Sequence, residues 1–137
     1  MGRIVAFDYG SKRVGIATTD PLKIIVTPLC ALHSKDVEAY LQKYLKNEEI
    51  EAFVIGYPLS LDETATDATP LVEAFVNRLK KVFPEIPVHL QDESYSSKEA
   101  ARELLRAGVK RKKRQDKGRL DMMSAVIILN RFLNRDG

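Results

Sequence analysis

The chain has 137 residues and a mass of 15.5 kDa, which suits a single domain spanning residues 1–137. Hydrophobic residues make up 45% and charged residues 30%, so we expect a packed core rather than disorder. No apolar run approaches the roughly 20 residues that a membrane-spanning helix needs. Cys30 is the single cysteine, which excludes a disulfide framework and disfavours a cysteine-based zinc site. The N-terminal apolar run is too short for a signal peptide, so we expect a cytoplasmic protein.

The first part of the chain predicts a three-stranded antiparallel meander. Arg3–Tyr9 is short and apolar, which is typical of a buried strand. A turn at Gly10–Lys12 separates it from a second strand over Arg13–Thr19, and a third is predicted over Lys23–Leu29. Because short turns join these segments, neighbouring strands are expected to run antiparallel.

The remainder of the chain predicts alternating helices and strands. The later strands should lie parallel to the first, joined by right-handed crossovers with helices covering both faces of the sheet. The order β-β-β-α-β-α-β-α-α therefore predicts an α/β fold with a five-stranded mixed sheet. The predicted elements are a helix over Val37–Leu45, a strand over Glu51–Ile55, a helix over Leu71–Val82, a strand over Pro87–Leu90, a helix opened by a Ser96/Glu99 capping box and stopped near Gly108, and a last helix over Arg119–Leu133.

Positive charge is concentrated late in the chain, although the formal net charge is only +3. Asp116 is the only acid in this basic block, which is either a solvated loop or a surface that contacts phosphates. No aromatic residue interleaves it, so contact with a nucleic-acid backbone is favoured over base stacking. The basic residues are Arg106, Lys110, Arg111, Lys112, Lys113, Arg114, Lys117 and Arg119.

Acidic residues at three places are candidates for catalysis. Asp8 is near the end of the first strand, Asp92 and Glu93 follow the last strand, and Asp121 lies on the apolar stripe of the last helix. Each alone could be a turn residue or a charge at a helix terminus. Ends of neighbouring strands share one crevice, however, so the acids could converge there. Converging carboxylates repel unless a cation is bound, and oxygen ligands suit Mg²⁺ or Mn²⁺.

The turn between the first two strands carries its own candidate contacts. Its glycines lack the spacing of a P-loop or of a dinucleotide-binding turn. Gly10 allows a tight turn or the close approach of a phosphate, and Lys12 and Arg13 could then contact a phosphate that is not cleaved. The alternative is a glycine-bearing hairpin with exposed basic residues.

Four segments of the chain resemble motifs of the YqgF/RuvX family, described as Holliday junction resolvases and pre-16S rRNA nucleases. They occur in the family's order and cover nearly the whole chain. The first and last are the most specific. The segments are DYGSKRVGIATTD from Asp8, GYPLSLDETATDATPLVEAFVNRL from Gly56, QDESYSSKEA from Gln91 and KGRLDMMSAVIILNRFL from Lys117.

The resemblance implies a ribonuclease H-like fold in which Asp8, Glu93 and Asp121 form the catalytic and metal-ligand set. Spacing alone does not decide between Asp92 and Glu93, and the resemblance favours Glu93. Two departures from the family's pattern stand out, because Ser94 replaces an expected arginine and Glu63 an expected glycine. The resemblance also implies nucleic-acid contacts for the residues at the motif's basic positions, which are Lys12, Arg13 and Lys117.

Taken together, these features predict a metal-dependent endonuclease of structured nucleic acid that uses two divalent ions. The favoured substrate is the 5′ end of pre-16S rRNA, with ribosomal particles as possible partners, and a monomer or weak homodimer is expected. One alternative is a Holliday junction resolvase, whose two symmetric cuts require a dimer. Another is a non-catalytic ribosome-assembly factor. An actin-like nucleotide-binding enzyme is disfavoured, because it needs two such domains.

Overall fold

The computed structural model describes residues 2–9, 13–57, 68–92 and 117–133. Within them, five strands form one sheet in the order β3-β2-β1-β4-β5. β2 is antiparallel to β1 and β3, whereas β4 is parallel to β1 and β5 is parallel to β4. The predicted α/β class, antiparallel meander and mixed sheet are thereby confirmed. The strands are β1 Arg3–Tyr9, β2 Arg13–Thr19, β3 Val26–His33, β4 Ile50–Tyr57 and β5 Val88–Asp92.

Within the described residues, three helices cover the sheet, and they lie on both of its faces as the pattern predicts. α1 (Val37–Tyr44) follows a 3-10 turn at Ser34–Asp36, and α2 (Ala68–Val82) lies on the same face of the sheet. The last helix, α3 (Lys117–Phe132), covers the opposite face. The helix expected between Ser96 and Gly108 lies outside the described residues.

The face that carries α1 and α2 has a core of large aromatic side chains. Phe7 packs against Phe53 and Phe75, with ring centroids 5.6 and 5.3 Å apart, and Phe53 packs against Phe83 at 5.8 Å. Phe7 and Phe53 are completely buried. Tilted and edge-on ring pairs of this kind add stability beyond the area that they bury. Bulky side chains therefore fill the space between this face and its helices.

The face that carries α3 has several small side chains, which lie beside Ile4 and Val54. Ala6 and Ala17 of the sheet and Ala125 of the helix are completely buried in one cluster with Ile128. Short side chains allow the helix axis to approach the sheet closely. The nearly all-apolar sequence of α3 predicts this burial.

The third strand begins and ends later than predicted, at Val26–His33 instead of Lys23–Leu29. The Asp20 carboxylate accepts hydrogen bonds from the backbone N–H groups of Ile24 and Ile25, both at 2.7 Å. Lys23 has a φ of 59° and pairs with Glu51 at 2.8 Å. Residues 23–25 are consequently held in a turn. The strand instead extends to His33, which pairs with Arg13, the first residue of β2.

β3 is the outermost strand on its side of the described sheet. Its Pro28 pairs with Ala17 where the β2–β3 register shifts. Proline lacks a backbone N–H and is confined to edge strands or bulges. The position of β3 in the sheet accounts for a proline within it.

Candidate active site

The candidate residues lie at one edge of the sheet, where each of its five strands either begins or ends. β1, β4 and β5 end there because they are parallel, and the antiparallel β2 begins there while β3 ends there. In register, Phe7 pairs with Ile55, and Ile55 pairs with Leu90. Asp8 therefore lies level with the last residues of β4 and β5. We call this the site edge, formed by Asp8, Tyr9, Arg13, His33, Tyr57 and Asp92.

Asp8 belongs to the face of the sheet that α3 covers. Side chains alternate along a strand, and Ile4 and Ala6 of β1 pack against α3. Asp8 follows them at the same two-residue period and is half-buried. Its partner across the β1–β2 pair is Gly15.

Asp121 reaches the same edge and face from α3. It lies on one helical stripe with Ala125 and Ile128, which are completely buried, and its own side chain is 25% exposed. The backbone of Asp121 lies against Gly15, the cross-strand partner of Asp8. Residues 113 positions apart in sequence are thus linked through one glycine.

Arg13 forms an ion pair with Asp121 at the site edge. Its Nε donates to Oδ2 of Asp121 at 3.1 Å, and its side chain is 42% exposed. At this exposure the pair adds little to stability, because water screens it. It does place a guanidinium group beside the Asp121 carboxylate.

The chemistry of Asp8 and Asp121 fits a hard divalent cation, because Mg²⁺ and Mn²⁺ prefer carboxylate oxygens. Within residues 2–9, 13–57, 68–92 and 117–133, no group of three or more His, Cys, Asp and Glu side chains could hold a metal ion. The third predicted acid, Glu93, lies outside the described residues. The same is true of Lys12 and of the basic residues Lys110, Arg111, Lys112, Lys113 and Arg114.

For Lys117 and Arg119, only the backbone is described. Both belong to the first turn of α3, which begins at Lys117. The turn lies just before Asp121 in the chain, so the end of the basic block leads directly to the site edge.

Gly15 is the residue whose role the sequence pattern did not show. In the sequence it is only the last glycine of a turn motif, with no periodicity to single it out. Its importance comes from the closeness of α3 to β2, which depends on the tertiary structure. A Cβ at Gly15 would come within 2.8 Å of the backbone nitrogen of Met122 and still closer to the carbonyl group of Asp121.

A cavity of about 800 Å³ lies at the opposite end of the sheet. It is lined by residues of the α1–β4 and α2–β5 connections, over 45–50 and 82–86. None of the predicted site residues lines it. Cavity size alone therefore does not mark the candidate site, which is distinguished by charged residues at the other end of the sheet.

In the part of the chain that the structure describes, no helix combines the length and apolar character needed to cross a membrane.

Comparison with known proteins identifies the family. Residues 2–135 match the RuvX family, described as Holliday junction resolvase. The chain belongs to the RuvX family. This membership confirms the resemblance seen in the sequence motifs and agrees with the observed mixed sheet.

Relatives of this RuvX chain match it over nearly their whole lengths. A protein of Amoebophilus asiaticus named "Putative pre-16S rRNA nuclease" is 45% identical over 98% of this chain and 95% of its own length. A protein of the same name from Azobacteroides pseudotrichonymphae is also 45% identical, over 97% of this chain and 96% of its own length. Among solved structures, a ROK family protein from Streptococcus pneumoniae aligns at 18% identity over 78% of this chain and 39% of that chain, with a TM-score of 0.46. This structural likeness is too weak to support a conclusion.

Proposed function

We propose that this RuvX-family protein is a metal-dependent endonuclease of structured nucleic acid, and that it processes the 5′ end of pre-16S rRNA in the cytoplasm. The observation that carries the proposal is the linkage of Asp8 and Asp121 through Gly15 at one edge and one face of the sheet. Carboxylates brought to one place from opposite ends of the chain repel one another unless positive charge offsets them. Arg13 supplies one such charge to Asp121, and a divalent cation shared with Asp8 would supply more.

The proposed ligands are Asp8, Asp121 and Glu93, and the metal is Mg²⁺ or Mn²⁺. A divalent cation held there supplies positive charge that stabilises a phosphodiester undergoing hydrolysis and favours deprotonation of water. The chain supplies rigid placement. Asp8 is held by the central strand of the described sheet, and Asp121 is held by a helix packed on completely buried residues.

The strand period supports Glu93 over Asp92 as the third ligand. His89 of β5 shares the face of α3, because its ring contacts Phe132 with centroids 5.2 Å apart. In the sequence pattern, positions 91 and 93 have the same parity as His89, whereas position 92 has the opposite parity. We therefore assign Glu93 to the acidic set.

Nucleic-acid binding is assigned to the basic residues around the site edge. The basic block runs into the first turn of α3, and the backbone of α3 lies against Gly15 at Asp121 and Met122. Neutralisation of phosphates by these residues would release counterions, so binding should weaken steeply as salt rises. The proposed contacts are Lys12, Arg13, Lys110, Arg111, Lys112, Lys113, Arg114, Lys117 and Arg119.

The testing experiment compares cleavage of labelled precursor 16S rRNA and of a four-way DNA junction, each with Mg²⁺, Mn²⁺ or EDTA. We expect cleavage of the RNA with either metal and none with EDTA. Asp8→Asn and Asp121→Asn should each lower the rate by more than about 100-fold, since loss of a ligand exceeds the usual cost of altering its supporting residues. Asp20→Asn is the matched control, because it makes the same chemical change at the opposite end of the sheet.

The family description favours a resolvase as the second candidate function. Symmetric cutting of the junction with no cleavage of RNA would select it, and a dimer in sedimentation measurements should accompany that result. If Asp8→Asn binds RNA and supports rRNA maturation as the wild type does, a non-catalytic assembly factor is the correct assignment instead.

A further inference from the structure

Gly15 lies between two of the candidate acids, Asp8 and Asp121. It pairs with Asp8 across the β1–β2 ladder. On its other side, the space that a Cβ would occupy is taken by backbone atoms of Asp121 and Met122. Real Cβ atoms essentially never approach other atoms closer than 3.0 Å, and all three nearest contacts here would be shorter. Any side chain at position 15 requires the backbone to move.

We propose that Gly15 is a positioning residue whose missing side chain sets the distance between Asp8 and Asp121. The proposal rests on the proposed metal-dependent function, since it concerns the same acidic pair. β2 supplies no ligand itself. Its glycine instead lets the first part of α3 approach the sheet closely enough for Asp121 to share a cation with Asp8.

The contact is rigid on both sides, so it transmits any change directly. On the helix side the crowded atoms are backbone atoms, which cannot rotate away as a side chain can. On the strand side Gly15 is fixed by pairing with Asp8 and with Ala31 of β3. A methyl group at position 15 must therefore displace the whole turn that carries Asp121.

The alternative is that Gly15 contributes only to the stability of the fold. Gly2 provides the matched control for this alternative. A Cβ at Gly2 would lie 2.7 Å from the backbone nitrogen of Glu51, so it is also crowded against backbone. Gly2 precedes β1 and therefore lies at the end of the sheet away from Asp8.

The experiment titrates Mn²⁺ into free wild-type, Gly15→Ala and Gly2→Ala proteins by calorimetry, without nucleic acid. Circular dichroism and thermal unfolding establish that each protein is folded. Both variants should unfold at lower temperature than wild type. Only Gly15→Ala should bind Mn²⁺ more weakly, by about 10- to 100-fold, as for residues that orient metal ligands. Its cleavage rate should fall by about 100-fold, the usual cost of a misplacement of about 1 Å.

Equal Mn²⁺ affinity in Gly15→Ala and wild type would overturn the positioning role, as would an equal loss in Gly2→Ala. If Gly15→Ala does not fold, Ala125→Val decides, because it enlarges the completely buried residue one turn beyond Asp121. It should weaken Mn²⁺ binding in the same direction, and unchanged affinity would contradict the proposal.

A crystal structure of Gly15→Ala separates this inference from the proposed function. We expect Asp121 to lie farther from Asp8 than in the wild type. If the separation is unchanged, the positioning role is wrong whatever metal the protein binds. Wild-type protein that binds no Mn²⁺ and cleaves nothing would contradict the metal-dependent function, while a shifted Asp121 would still establish that Gly15 sets its place.

Discussion

The two faces of the sheet are packed in opposite ways. The face under α1 and α2 is filled by large aromatic rings, among which Phe7 and Phe53 are completely buried. The face under α3 is lined by Gly15, Ala6 and Ala17, and the helix lies close to the strands. Large side chains provide the buried area on the first face. Small residues on the second face allow α3 to lie close to β2.

This difference separates stability from placement of the acids. The candidate acids Asp8 and Asp121 both belong to the face with small residues. A change on the aromatic face should mainly alter the free energy of unfolding. A change on the α3 face should mainly alter how the acids are spaced.

The largest expected effect on stability is on the aromatic face. Phe53→Ala removes a completely buried ring that contacts two others and should lower the free energy of unfolding by about 3–5 kcal/mol. Urea denaturation measures the loss. The fraction that remains folded should bind Mn²⁺ as tightly as wild type. Weaker binding by that fraction would show that the two faces are not independent.

A smaller loss of stability is expected on the α3 face. Ala17→Val adds volume at a completely buried position against the helix and should cost about 1–3 kcal/mol. Although less destabilising than Phe53→Ala, it should weaken Mn²⁺ binding more, because it presses on α3. Parallel urea and Mn²⁺ titrations of the two variants check this reversal. Identical ranking in both measurements would contradict it.

Arg13 should contribute to nucleic-acid binding but little to stability. Arg13→Gln removes a partly exposed ion pair and should change the free energy of unfolding by less than about 1 kcal/mol. The slope of log binding constant against log salt should fall by about 0.7–0.9, the value of one lost phosphate contact. Arg78→Gln is the control, because Arg78 pairs with Glu38 on the other face. An equal fall in the slope for Arg78→Gln would assign the effect to net charge.

The smallest effect is a pH dependence at the β2–β3 turn, away from both acids. Hydrogen bonds from the backbone N–H groups of Ile25 and Ile24 hold the pKa of Asp20 below its ordinary value of 3.8. Because the folded-state pKa is the lower one, this stabilisation is present above the ordinary value and is lost as pH falls through the folded-state value. In thermal unfolding from about pH 2.5 to about pH 7, the midpoint temperatures of wild type and Asp20→Ala should therefore converge only at the acidic end. Asp20→Asn keeps an acceptor oxygen and should lie between them, and a constant difference at every pH would contradict the assignment.

Most of the fold was predictable from local pattern. β1 and β2 begin and end as predicted, because continuous apolar segments with a turn between them leave few alternatives. α3 was expected to be buried because its sequence is apolar nearly all round. The third strand was misplaced because the Asp20 carboxylate binds backbone groups four and five residues away, which hydrophobic alternation does not reveal.

The candidate site was predictable only in its acids. Asp8 and Asp121 could be named from a strand end and from a polar residue on an apolar stripe. The pairing of Arg13 with Asp121 joins residues 108 positions apart, so no local spacing indicates it. The role of Gly15 depends on the distance between a helix and a strand, which sequence patterns do not encode. The assignment of Glu93 stays a prediction.

The proline of β3 has a consequence for how these molecules meet at high concentration. An outer strand with an uninterrupted row of free amide groups can template the addition of another chain and so start aggregation. Pro28 removes one backbone donor from this outer strand, and the neighbouring register shift adds local twist. Both features disfavour the pairing of a further strand with β3.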